Sequence, residues 1–258
     1  MIVTTKHACA AAGRLALIAL SAALAAAAGC APSRDSERAA PDTTAAESRA
    51  EDLAGRLAPS ERDSIDRGPL RSWVDAQIAA IPNFSLGALT LESTSKIHEQ
   101  YQATTLDEQF GGNEARRSLL VRSPDGRWVL DTYYGMEIVE RSGRPAAAWD
   151  ADRGFRVFDA RTDSLRVYEV LGTTAVPWMG AWIGPDRFVV VGDAILTEMS
   201  GQPPPDPAPR TPIAWLGDME SRELTTFRGP AIPDSLWDRY ARARLDAFAA
   251  RQPQIQWE

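Results

Sequence analysis

The apolar positions of this chain change their spacing several times. Leu15 to Ala28 is a run of fourteen uncharged residues, rich in Ala and Leu. From 31 to about 66 large apolar side chains are sparse, and Ala, Ser, Thr, Asp, Glu, Arg and Pro dominate. Leu70, Trp73, Val74, Ile78 and Ile81 then share one face at helical spacing. Gly68-Pro69 opens that helix with Pro in its first turn, and Pro82 stops it. Phe84 to Leu91 alternates and reads as a strand. Residues 97 to 115 fit neither period, and Gly111-Gly112-Asn113 marks a loop among them. Beyond 116, short apolar runs alternate with turn residues, which is a β pattern. A last helix is expected after Asp234 or Ser235 as cap, with Asp238 as the capping-box partner. Trp237, Tyr240, Ala241, Leu245 and Phe248 form its inward face.

The β-rich part has an internal order. Leu119-Leu120-Val121 leads into Ser123-Pro124-Asp125-Gly126, a type I turn in which Pro presets the second position and Gly closes the fourth. Trp128-Val129-Leu130 resumes the strand. Phe155 to Phe158 and Leu165 to Val170 bracket the polar turn Asp159 to Asp163, which predicts a hairpin. A second pass repeats the order. Trp178 to Ile183 precedes Gly184-Pro185-Asp186 and Phe188 to Val191, and Ile213 to Leu216 and Leu224 to Phe227 bracket Asp218-Met219-Glu220-Ser221. Asp125 and Asp186 are 61 residues apart, and Asp159 and Asp218 are 59 apart. Two copies of one four-strand unit follow, each with a long connection before its hairpin. Ser123-Pro124-Asp125-Gly126-Arg127-Trp128 resembles the blade turn of propeller-type repeats of the WD40-like kind found in TolB-like proteins. The second copy departs from it, with Gly184 for Ser and no turn Gly. The resemblance spans roughly residues 116 to 230. It implies blade-like sheets, but two blades cannot close a ring that needs about four to eight. Gly201 to Pro212 holds six prolines and is expected to be an extended surface loop.

The N-terminal run is shorter than the roughly 20 residues of a membrane span. Preceded by Lys6, His7 and Arg14, it has the length of a signal-peptide core. Ala27-Ala28-Gly29-Cys30 resembles a bacterial lipobox, although Ala27 stands where the pattern usually has Leu. The resemblance implies cleavage before Cys30 and lipidation of its thiol, and Ala31 in place of Asp implies sorting to the outer membrane. An ordinary cleavage after Ala26-Ala27-Ala28, giving a secreted protein, is the alternative. Residues 30 to 66 are then a lipidated Cys and a disordered tether, with a frail helix at most over Ala45 to Leu57. A chain of that length reaches roughly 30 Å.

Composition narrows the chemistry. The 258 residues carry a formal charge of −7. Loss of Lys6 and Arg14 with a leader leaves 26 basic and 35 acidic residues, or −9. Such a chain is a poor match for nucleic-acid phosphate. Lys6 and Lys96 are the only lysines and Cys9 and Cys30 the only cysteines, so the mature part has no intramolecular disulfide. Ser93-Thr94-Ser95-Lys96 fits the S-x-x-K pattern of penicillin-binding proteins and β-lactamases, but no companion S-D-N or K-T-G accompanies it. Asp150-x-Asp152-x-Gly154 begins like a calcium loop, yet Gly154 and Arg161 stand where further ligands are needed. His98 is the one histidine of the mature part, too few for a His-based zinc site. Asp131, Glu137 and Glu140 lie near one strand, and spacing alone does not make them a catalytic pair.

No catalytic or metal constellation emerges, and no cofactor is implied. Eight tryptophans are many for this length. Trp178 and Trp182, evenly spaced about Gly180 on one strand, and Trp149 are the candidate binding surface. The fold expected is mainly β: incomplete propeller-like or sandwich-like antiparallel sheets with flanking N- and C-terminal helices, over residues 67 to 258, after a leader at 1 to 29 and the tether at 30 to 66. The function expected is a noncatalytic binding or scaffold module, lipid-anchored in the cell envelope, with an envelope protein or a saccharide as its partner. Carbohydrate or peptidoglycan-fragment binding on Trp platforms and a hydrolase using carboxylates are the alternatives.

Overall fold

A computed structural model describes residues 51–97, 99–102, 104–195 and 209–257. Cys30, His98, the leader and most of the proline-rich stretch lie outside the described residues. Three helices come first: α1 (Leu53–Arg56), α2 (Pro59–Arg67) and α3 (Arg71–Ala80). Strands β1 (Thr90–Lys96) and β2 (Glu99–Gln102) and the short helices α4 (Leu106–Phe110) and α5 (Glu114–Arg117) follow. Then come β3 (Val121–Arg122), β4 (Trp128–Arg141), β5 (Arg144–Asp159), β6 (Ser164–Gly172), β7 (Ala175–Trp182), β8 (Arg187–Ile195), β9 (Arg210–Asp218) and β10 (Glu223–Arg228). Helix α6 (Trp237–Arg251) comes last.

The strands form two open antiparallel sheets, ordered β1-β10-β9-β8-β7 and β2-β6-β5-β4-β3. Each is a meander of four consecutive strands with one earlier strand added beside its last member. The turn chemistry is the same in both. Asp159 Oδ1 accepts from the Arg161 amide and Asp218 Oδ1 from the Glu220 amide. The residues closing these turns, Asp163 and Arg222, both have positive φ. The Ala160 amide bonds to Arg127 O at 2.7 Å and the Met219 amide to Asp186 O at 2.8 Å. In the first meander the expected Ser-Pro-Asp-Gly turn closes with the Gly126 amide on Ser123 O, and Gly126 has φ +72°. The two meanders are tied together where the Trp128 indole donates to Asp186 Oδ1 at 2.8 Å.

The sheets pack face to face. Trp128, Leu130, Phe155 and Val157 of one meet Phe188, Val190, Ile213 and Trp215 of the other. The opposite face of β8, through Val189 and Val191, turns to the helices. A strand covered on both sides needs apolar residues at every position, which is why Phe188 to Val191 does not alternate with polar residues. Helices α1 to α3 and α6 cover that second face. On the outer side of the other sheet, Phe110 from α4 meets Val129, Phe158 and Leu165.

Several expectations change. Residues 51 to 66 are not tether: Leu53, Leu57 and Ile65 are buried in the core. Ile78 is 48% exposed, and the buried face of α3 runs instead through Trp73, Val74, Ala76, Gln77 and Ala80. The Phe84 to Leu91 segment begins with a single 3-10 turn at Leu86–Ala88, and the strand starts only at Thr90. The long connection expected in the first meander is itself strand. β4 and β5 run to a two-residue hairpin at Ser142-Gly143, both with positive φ as such turns require. Helix α6 starts after a 3-10 turn at Asp234–Leu236 and has no side-chain cap.

Candidate functional site

The three tryptophans do not form one surface. A bulge between Pro177 and Met179 breaks the alternation of β7. Trp178 therefore faces the helices, with 0% exposure, while Trp182 packs edge-on against Phe188 at 5.4 Å on the intersheet side. Gly180 opens no cleft between them. A Cβ there would stand 2.5 Å from Thr132 Cγ2 and 2.6 Å from Leu130 Cδ2, so the sheets approach closely at this point. The Trp182 indole donates to Val121 O at 2.9 Å. Trp149 is half-buried, near Tyr133, with the Arg153 guanidinium 5.2 Å from its ring centre. Trp149 and Trp178 do belong to one aromatic cluster beneath α6, which runs on through Phe248 and the stacked Trp257.

The other motifs resolve into structure. Ser93 and Lys96 lie on β1, where residues three apart point to opposite faces, and Lys96 Nζ pairs with Glu223 Oε1 at 2.9 Å. Asp150, Asp152 and Gly154 are strand residues of β5 and not a loop. Gly154 lies against β6, and a Cβ there would meet Glu169 O at 2.0 Å. Among the described residues no three His, Cys, Asp or Glu side chains converge as a metal site.

A cleft of about 490 Å³ lies between the β4–β5 hairpin and α4–α5. Both walls are set locally. The Thr105 hydroxyl accepts from the Glu108 amide at 3.0 Å and Glu108 Oε2 from the Thr105 amide at 2.9 Å, a capping box that starts α4. Asn113 caps α5 by accepting from the Arg116 amide at 3.0 Å. These caps aim Gln109, Phe110 and Arg116 at the hairpin. On the hairpin, the register shifts on both sides of Tyr134. Gly135 has φ +79°, and a Cβ there would lie 1.9 Å from Asp152 O, so only Gly permits this bulge.

Behind the cleft lining Asp131 is fully buried between two arginines that do line it. Arg116 Nη2 donates to Asp131 Oδ1 at 2.7 Å and to Tyr133 O at 2.7 Å. Arg156 donates to Oδ2 through Nη2 at 2.8 Å and Nε at 3.2 Å, and through Nη1 to Gln109 Oε1 at 2.6 Å. Burial by itself raises the Asp131 carboxyl, but Arg116 and Arg156 together outweigh it and hold the group below the usual carboxylate range. Two guanidiniums for one carboxylate leave this cluster with a net positive charge. Arg116 Nη1 is buried and has no hydrogen-bond partner among the described residues. Glu137, Asp150 and Asp152, all exposed, also line the cleft.

No family model, curated protein or solved structure matches the chain.

The site must therefore be read from its own chemistry. No Ser, Cys, His or Lys lines the cleft among the described residues; the nucleophilic side chains that do are Tyr134 and the carboxylates of Glu137, Asp150 and Asp152. Asp131, behind the lining, has a lowered pKa and is a poor proton donor. What the cleft offers is charge of both signs at fixed positions. The sequence did not single out Arg116 or Arg156, and it placed Asp131 only beside Glu137 and Glu140. The signal that marks Asp131 is an acid inside an apolar strand, Val129-Leu130-Asp131, since such a residue is buried only with partners. Val190-Val191-Gly192-Asp193 carries the same signal. Asp193 is also fully buried, bonded to the Trp178 indole at 2.5 Å and to Arg210 at 2.8 Å.

Proposed function

We propose that the protein is a noncatalytic binding module, held at a membrane in the cell envelope by lipid on Cys30, whose cleft takes a small ligand bearing both charges. The observation that carries the reading is the charge content of the cleft: Arg116 and Arg156 line it together with Glu137, Asp150 and Asp152. An amino acid or short peptide matches it, with its carboxylate toward the guanidiniums and its ammonium toward the acids. The cleft volume of about 490 Å³ suits a ligand of that size. A peptide-bearing wall fragment keeps its place as a ligand class on these terms, through the charged cleft. Stacking of a saccharide on Trp178 has no exposed ring to use.

Titration of the chain with free and N-acetylated dipeptides tests the cleft. Saturable binding of the free dipeptide, weakened about tenfold (about 1.4 kcal/mol) by acetylation or by Glu137→Gln, is expected. Equal binding of both forms, or none, would sink the proposal. The anchor is tested apart from it. Cys30→Ala moves the protein from the membrane to the soluble fraction, and a variant that stays with the membrane rules the anchor out.

A further inference from the structure

The end of the molecule beneath α6 gathers more positive charge than it neutralises. Asp193 Oδ2 accepts from Arg210 Nη1 at 2.8 Å, and Arg244 Nη1 stands 3.4 Å from Oδ1. Arg153 is the third guanidinium. Burial lowers its pKa, and repulsion from Arg244 and Arg210 lowers it further against the pull of Asp193, so the three arginines and the carboxylate share one field. Arg153 itself makes no ion pair among the described residues; its Nε donates to Asp150 O at 3.3 Å. Each arginine lies over an indole: Arg153 over Trp149, Arg244 over Trp178 and Arg210 over Trp237. The two acidic side chains of α6, Asp238 and Asp246, are exposed and line another surface with Arg239 and Arg242.

Arg153 and Arg244 open onto a small cavity of about 60 Å³ walled by Trp149, Phe248 and Trp257. That is room for a few waters or one small oxyanion. We propose that this cavity binds a free oxyanion of the phosphate or sulfate class, with Arg153 and Arg244 as donors and the Trp149 and Trp257 rings as walls. Guanidinium forks match the oxygens of such an anion. Ring walls that exclude water strengthen the contact. The anion neutralises charge that Asp193 leaves unbalanced. The site lies apart from the dipolar cleft, and neither reading depends on the other.

The test is a titration of the full chain with inorganic phosphate at low ionic strength, read by calorimetry and Trp fluorescence. One saturable site is expected. Arg153→Gln weakens it about tenfold or more, and Arg153→Lys falls between. Arg153 has no ion pair among the described residues to lose, so both variants keep the circular dichroism spectrum and melting temperature of the parent. Glu137→Gln leaves phosphate binding unchanged. Absence of saturable binding for phosphate and sulfate overturns the proposal, as does equal affinity in Arg153→Gln. Vesicles separate a headgroup source. If the Cys30→Ala chain shows Arg153-dependent binding to phosphatidic acid vesicles but none to inorganic phosphate, the free-anion site is wrong.

Discussion

Asp131 shows how much one residue decides. It is fully buried, and both of its oxygens meet guanidiniums. Removing one member of such a group leaves charge buried without a partner, at a cost of about 3–5 kcal/mol. Asp131→Asn keeps the shape but strands Arg116 and Arg156, and a loss of that order in urea unfolding is expected. The pH dependence follows from the depressed carboxyl. An acid whose folded pKa lies below its unfolded value stabilises fully above the unfolded value, about 4, and loses that contribution as pH falls through the folded one. The parent therefore loses stability between pH 6 and pH 3 more steeply than Asp131→Asn does. Comparison of the two unfolding midpoints at both pH values checks this. Acids within apolar runs mark Asp131 and Asp193 in the sequence, but their partners are not legible. Arg116 is 15 residues from Asp131, and Arg244 is 51 from Asp193.

At the scale of elements, turns were legible and pairing irregularities were not. The Ser-Pro-Asp-Gly turn and the hairpin turns at Asp159 and Asp218 depend on residues within a few positions of each other, so composition reveals them. The bulge in β7 depends on how β8 pairs with it. Strict alternation therefore placed Trp178 and Trp182 on one face, and the bulge separated them. The same applies to Gly180, whose small size serves sheet packing. Gly180→Val drives a side chain into Leu130 and Thr132 and is expected to cost about 1–3 kcal/mol by overpacking. Thermal unfolding measures it, and an unchanged midpoint would show that the sheets can part locally.

For the whole molecule, the boundary of the folded part differs most from the sequence reading. Residues 51 to 66 have the polar composition of a spacer, yet their few aliphatics, Leu53, Leu57 and Ile65, are buried beside Trp73 and the helix-facing side of the first sheet. Fully burying such side chains stabilises by about 1.5–3 kcal/mol each, against a typical total of about 5–15 kcal/mol for a domain. A fragment starting at residue 67 is expected to unfold at much lower temperature than one starting at residue 51. Equal melting temperatures would return these residues to the tether.

By itself the sequence determined the β-rich class, the turns at Asp125, Asp159 and Asp218, and the helices α3 and α6. These depend on period and turn chemistry, which act over a few residues. Tertiary structure alone decided which tryptophans are buried, where the arginines find their carboxylates, and that a polar segment belongs to the core. Each of these depends on which distant surfaces meet, and a local pattern of residues does not encode that meeting.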